Sequence, residues 1–331
     1  MSSGRPAWAG FALALFVLVP GVLWATGSSY AFRVADTVLI YAILAVSMNL
    51  IMGVAGLFSL GHAGFYGVGA YTAALGATKL GLPFIVTVPL AGLAAGLLGA
   101  LVALPTMRLV SIYFAVATLA IGQMIFVTLL NWVGFTGGPL GIRSIPPPAL
   151  FGVSLSAPLA TYLVCAVCAG FAILVAHRAA HGYYGNALRA LREDDQCAGA
   201  MGIHVARLRF EVSAVACFLA GIAGALWSHT TGFISPQDFG FPISILILAM
   251  VVVGGIGSLP GAIIGATLLI LLPELLRPIG DIRQIAVGTV MFLCILFLPK
   301  GLFGEVSALA FARRQLGAAW RAPDGSPVGW R

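Results

Sequence analysis

The sequence predicts an all-α, polytopic integral membrane protein of about ten transmembrane helices, with a cytoplasmic helix between the sixth and seventh. Composition comes first: of 331 residues 60% are hydrophobic and only 8% charged, whereas a soluble globule is about a quarter charged, so the chain has too little polar surface for a water-facing fold. Apolar runs near the bilayer-crossing length of about 20 residues recur along it. The Lys and Arg residues sit between those runs rather than in a basic block with interleaved aromatics, so the +7 net charge reads as membrane topology, and nucleic acid is not an expected partner.

In chain order the runs are 8–26, 34–52, 63–78, 83–104, 113–133, 157–177, 210–230, 243–256, 261–276 and 283–298. The first follows Arg5 and is longer than the apolar core of a secretion signal, so it is expected to stay as a spanning helix. The closely spaced runs around Gly53–His62 and Gly254–Pro260 are also compatible with broken or re-entrant helices. Small residues four apart, Gly92 with Gly96, Gly221 with Ala225 and Gly261 with Gly265, allow helix backbones to approach closely where lipid gives apolar faces no reason to associate. Cys165 and Cys168 form a CxxC pair inside an apolar run without a second pair or a nearby His, which favours packing over metal or redox chemistry.

The most informative stretch is the polar island 178–211, RAAHGYYGNALRALREDDQCAGAMGIHVARLRFE, which holds nine of the 27 Asp, Glu, Lys and Arg residues. Its arginine excess places it in the cytoplasm, and alternation from there puts 12 basic residues inside and five outside, in keeping with the positive-inside bias. Inside are Arg5, Arg108, the island's five arginines, Lys300, Arg313, Arg314, Arg321 and Arg331; outside are Arg33, Lys79, Arg143, Arg277 and Arg283. Both termini come out cytoplasmic. The domain expected is a transmembrane unit over 1–300, containing the loop 178–209, followed by a tail at 301–331.

Within the island, a helix is expected from Gly185 to Met201, ended by Gly202. Arg189 and Glu193 stand at i,i+4 to pair on its surface, and Leu188, Leu191 and Met201 offer apolar contacts. Thirty ordered-looking residues exceed what a connection needs, so the island is a candidate docking element for a partner protein.

The segment GLFSLGHAGFYGVGAY (56–71) sets Ser59, Gly61, His62, Phe65, Tyr66 and Tyr71 among small residues at membrane depth, where irregular backbone is tolerated only beside protein or a water-filled cavity. It is a candidate pathway wall, with Gly255 and Ser258 in the facing segment VVGGIGSLPGAIIGA (252–266), whose repeated Ser-Leu element is compatible with two related halves. His62 reads as a neutral imidazole hydrogen-bonded at a helix start, or as a proton relay; Ser59 reads as an N-cap for the helix that follows. The loops 136–148 and 232–241 bring Gly137, Gly138, Arg143 and Asp238 to the outer side as a candidate docking surface. Asp36 and Glu211 fall near predicted membrane boundaries within reach of water, so the buried carboxylate of an ion-coupled carrier is not expected. Neither Lys79 nor Lys300 completes a phosphate-cradling GxxxxGK[ST], and no catalytic set accompanies Ser59 and His62, so neither ATP hydrolysis nor intramembrane catalysis is expected of the chain.

The elements GLFSLGHAGFYGVGAYTAAL (56–75), TLAIGQM (118–124), TGGPLGI (136–142), ALRALREDDQCAGAMGIHVARLRF (187–210), GGIGSLPGAIIGA (254–266) and LFLPKGLFG (296–304) resemble, in order, the M-type permease subunits of branched-chain amino-acid ABC importers. The resemblance implies a bacterial inner-membrane subunit that pairs with a second permease, two cytoplasmic ATPase subunits that bind ATP and Mg, and a periplasmic binding protein docking outside. It implies a coupling role for Arg189, Arg192, Glu193, Asp194, Asp195, Ala198, Gly202 and Arg207. QCAGAM departs from the family's usual acidic or alanine-rich run at Gln196 and Cys197. Relatives of this type also carry urea, short amides and other small polar solutes.

Overall fold

The structure is a computed structural model that describes residues 29–106, 111–150, 153–154, 157–276 and 288–289. The runs expected at 8–26 and 283–298, the LFLPKGLFG segment and the tail 301–331 lie outside the described residues. In chain order come α1 (Ser29–Asn49, prolonged by a π-helical turn Leu50–Val54), α2 (His62–Lys79), α3 (Phe84–Thr106), α4 (Ser111–Asn131), the single turn α5 (Val133–Thr136), α6 (Pro158–Ala180), α7 (Gly182–Glu193), α8 (Asp195–Ala200), α9 (Val205–Thr231), α10 (Phe241–Gly254) and α11 (Leu259–Leu275). The strand content among the described residues is one two-residue antiparallel pair, Ala149–Leu150 with Val153–Ser154.

Each of the eight apolar runs between 34 and 276 meets a helix. Six helical stretches, Ser29–Val54, Phe84–Pro105, Tyr113–Asn131, Pro158–Ala180, Val205–Thr231 and Pro236–Gly254, are long and apolar enough to cross a membrane. The glycine-rich α2 and the 17-residue α11 fall short of that measure.

The helices are built to associate in lipid. On α3 the face carrying Ala91, Gly92, Ala95, Gly96 and Gly99 packs against α9, while Leu90, Leu93, Leu97, Leu101 and Leu104 point outward on the opposite stripe. A Cβ on Gly99 would lie 2.4 Å from Cys217 Sγ, and one on Gly221 would lie 2.6 Å from the Ala91 carbonyl oxygen, so the small residues set the α3–α9 separation. The same design governs α6, whose buried face is Cys165, Ala166, Ala169, Ala172, Ala176 and Ala180. The helices α1 and α9 form the centre of the bundle, and α3, α4 and α6 its periphery.

Two ends can be defined from the packing. The α1 and α11 helices run antiparallel, joined by a Tyr30–Glu274 hydrogen bond at one end and by Gly257 N–H donating to Asn49 Oδ1 (2.9 Å) at the other. The polar island shares the second end with the chain breaks 55–61 and 255–258. The opposite end gathers Lys79, which reaches the Phe135 carbonyl, and the loops around Arg143 and Asp238, joined by an antiparallel bridge between Ile142 and Ile234. Around the second break, α10 and α11 are two separate helices rather than one broken span: they fold back on each other so closely that a Cβ on Gly254 would lie 2.1 Å from the Gly261 carbonyl oxygen.

Two sequence expectations fail at this level. Asp36 is not at a boundary: α1 begins at Ser29, so the carboxyl sits seven residues into the helix, buried beside α6, and its Oδ1 has no hydrogen-bond partner. The island helix is not continuous from Gly185 to Met201: it starts at Gly182 and breaks at Asp194, whose extended backbone ends α7 and whose side chain starts α8.

Candidate functional site

The island is fixed to the bundle by its apolar face and three side chains. Leu188 and Leu191 are buried in the main core, and Ala198 also turns inward, whereas Glu193, Asp194, Asp195, Gly202 and Arg207 remain exposed. Asp194 Oδ1 accepts from the Cys197 and Gln196 amides at 2.9 and 2.8 Å, which holds its carboxyl below the usual carboxylate range. Asp195 pairs with Arg209 at the start of α9. Burial and the adjoining Glu211 carboxylate push the Tyr184 phenol up to about 12. Gly202, at φ +81°, occupies the left-handed position expected just past a helix end.

Arg189 does not pair with Glu193. Its Nη1 donates to Asn186 Oδ1 and its Nη2 to the Ala180 carbonyl at 2.7 Å, because the sharp α6–α7 turn leaves that helix-end carbonyl without an intrahelical donor. Arg192 reaches furthest: its Nη1 donates to the Gly53 carbonyl at 2.7 Å, inside the π-helical turn of α1. Gly257 lies directly against this contact, since a Cβ there would stand 3.3 Å from Arg192 Nη1, and its φ of +87° independently favours glycine. The Arg192 guanidinium is thus bonded to the π-helical turn that leads into the first break and packs against Gly257 of the second.

Beside that junction, His62 opens α2 fully buried, with Nε2 2.7 Å from Ser47 Oγ. Ser47 donates its single proton to the Leu44 carbonyl, so His62 must be the donor through Nε2–H, and its Nδ1 is left without a partner. This is the hydrogen-bonded imidazole at a helix start, although its partner lies on α1. Ser59 is not the N-cap: that position belongs to Gly61, and neighbouring helices satisfy amides around the start of α2, Thr118 Oγ1 accepting from Leu60 just before it and Ser244 Oγ from Ala63 in its first turn, both at 3.1 Å. Gly61 is required by contact, since its Cβ would fall 2.1 Å from the Thr118 carbonyl oxygen. Ser59 and Phe65 border a void of about 10 Å³, room for about one water.

Of the proposed pathway residues, His62 meets Ser47 of α1, Ser59 and Phe65 share a void with Ile51 of the π-helical turn, Gly61 packs against Thr118 of α4, Gly255 follows the end of α10, and Ser258 caps α11 by accepting from the Gly261 amide. Tyr71 stands apart, about 13 Å further along α2, edge-on to Phe239 with a buried and unpartnered hydroxyl; Tyr66 does the same. At the opposite end, Gly137 and Gly138 serve the turn after α5, Asp238 accepts from the Ser235 amide at 2.9 Å in a capping box, and Arg143 stacks over Phe233 while remaining exposed. Sequence patterns missed Ser47, Asn49, Thr118, Ser244 and His229, lone polar residues in apolar helices; His229 donates Nδ1–H to the Pro146 carbonyl at 2.8 Å and ties α9 to the loop.

A lipid-built bundle whose helices break against a charged island is the architecture of a transport permease. The family described as branched-chain amino acid transport system/permease component matches residues 30–299. The chain is 34% identical over 316 residues to LivM of Salmonella typhimurium, a high-affinity branched-chain amino acid transport system permease protein, covering 88% of this chain and 74% of that one; LivM of Escherichia coli gives the same figures. Its similarity to LivH of Escherichia coli is 27% over 295 residues, covering 80% and 91%. No solved structure matches. The chain belongs to the branched-chain amino acid transport permease family, with higher identity to these M-type than to these H-type relatives.

Proposed function

We propose that the chain is the M-type membrane subunit of an ATP-driven importer that carries leucine, isoleucine and valine across the bacterial inner membrane. The observation that supports this best is Arg192, which links the island to the breaks in the pathway wall. In this reading the runs 8–26 and 283–298 complete ten spans, both termini are cytoplasmic, and the island end faces the cytoplasm. The helices α7 and α8, with the turn into α9 and its first residues, form the coupling element, presenting Glu193, Asp194, Asp195, Gly202 and Arg207 to a groove on an ATPase subunit, while Ala198 supports them from behind. Closure of two ATPase subunits, which hold ATP and Mg, moves α7; Arg192 then pulls on Gly53 and releases Gly257, and a passage opens beside Ser59, His62 and Gly255. A sister permease completes that passage, and a periplasmic binding protein docks at the opposite end, where Arg143 offers the exposed charge.

Asp36 favours a second reading, ion coupling, because it supplies the buried carboxylate such carriers need. Reconstitution separates the two. With sister permease, ATPases and binding protein, leucine uptake should require ATP, stop with vanadate and survive both an ionophore and Asp36→Asn. Uptake by the chain alone, or uptake lost with the ion gradient, would overturn the importer; preferential transport of urea would reassign the substrate.

A further inference from the structure

A cleft of about 300 Å³ opens at the island end between the last turn of α6, the start of α7, the π-helical turn after α1 and the first turn of α11. Four basic side chains line it, His177, His181, Arg189 and Arg192, and none of its lining residues is acidic. The two arginines are held in place by carbonyls and an amide oxygen at 2.7–2.9 Å, so their charges are ordered without being neutralised by a carboxylate. The rings of His177 and His181 lie tilted against each other with centroids 4.0 Å apart, and His181 Nδ1–H donates to the His177 carbonyl.

The approach to this cleft is apolar. Leu163, Val167, Phe171 and Leu174 of α6 are 46–66% exposed, and their spacing of three and four places them on one face that continues to His177. A strip long enough for acyl chains thus ends in a basic recess for their headgroup.

We propose that this is a binding site for an anionic phospholipid, its phosphate in the cleft and its acyl chains along α6. The site rests on the cleft and the strip alone, not on the transported solute. Native mass spectrometry of the full-length chain, offered phosphatidylglycerol and phosphatidylcholine of identical acyl composition, tests it. Phosphatidylglycerol should be retained preferentially, and the preference should fall about fivefold in Arg189→Gln, the equivalent of about 1 kcal/mol for one arginine charge, and further in Arg189→Gln with His181→Gln, which also removes the imidazole from the recess. His181→Gln alone keeps the Ala180 cap and guards against misfolding; Arg33→Gln, an equal charge change at the opposite end, should leave the preference intact. Equal retention of the two lipids, or an effect of Arg33→Gln as large as that of Arg189→Gln, would overturn the proposal. Displacement of the lipid by millimolar inorganic phosphate would overturn the lipid and assign the recess to the free anion.

Discussion

Both ends of the bundle carry long-range side-chain bonds, Tyr30 to Glu274, Lys79 to the Phe135 carbonyl and His229 to the Pro146 carbonyl at the Arg143 end, but among the described residues that end alone adds a backbone bridge between its loops. At the Arg143 end, loops 132–148 and 232–241 are tied backbone to backbone through Ile142 and Ile234, by a left-handed turn at Gly137 and by the Ser235–Asp238 capping box, all of them local or reciprocal. At the island end, side chains reach isolated backbone groups across 139 residues from Arg192 to Gly53 and 208 from Asn49 to Gly257. A frame built from backbone ladders resists opening, whereas single side-chain contacts at chain breaks let helices part without unfolding. The contrast assigns rigidity to one end and the moving parts to the other.

The largest test of this contrast removes the close approach on which the island end is built. Gly254→Val forces a side chain into the Gly261 carbonyl and should cost on the order of 3 kcal/mol, seen as loss of the monodisperse peak in size-exclusion chromatography, while Gly170→Ala, with nothing within 4 Å of the added carbon, should leave the peak unchanged. A tolerated Gly254→Val would mean that the α10–α11 hairpin is looser than its backbone indicates.

Next in size is Arg192→Ala, which leaves the Gly53 carbonyl without its donor and should lower uptake about tenfold with ATP hydrolysis retained. Arg192→Lys, still able to donate one N–H, should recover part of it. Asp238→Ala, which breaks a cap at the opposite end worth about 1 kcal/mol, should lower the melting temperature by a few degrees and leave uptake per folded molecule unchanged. If Asp238→Ala uncoupled transport and Arg192→Ala merely destabilised, the two ends would have exchanged roles.

What the sequence revealed and concealed follows the same division. Apolar length placed eight helices, and turn chemistry placed Gly202 past a helix end, because both signals are local. The position of His62 at a helix start was also legible, while Ser59 was misread as the cap in place of Gly61. The partners around that start were not: Ser47, Thr118 and Ser244 are single polar residues in apolar helices, and only the fold shows which group each meets. Asp36 was misplaced because Arg33 suggested a boundary, yet α1 begins five residues earlier than its hydrophobic run. The break at Asp194 was hidden because Arg189 and Glu193 fit a continuous helix, although an Asp followed by acidic Asp195 is also an N-terminus signature.

That break yields the smallest and most local test. Asp194 is exposed, and its carboxyl is held below the ordinary value of 3.8 by the Cys197 and Gln196 amides, so its contribution to α8 is present above that value and is lost as the pH falls through its lower folded value. Asn caps a helix about as well as Asp but does not titrate. Hydrogen exchange at the Gln196 and Cys197 amides, corrected for intrinsic rates between about pH 6 and about pH 3, should therefore show protection declining at the acid end in the native chain and staying level in Asp194→Asn. A matching decline in both would place the acid-sensitive group elsewhere, with Asp195 and its Arg209 partner the next to replace, and would make the hinge of the island an ion pair rather than a cap.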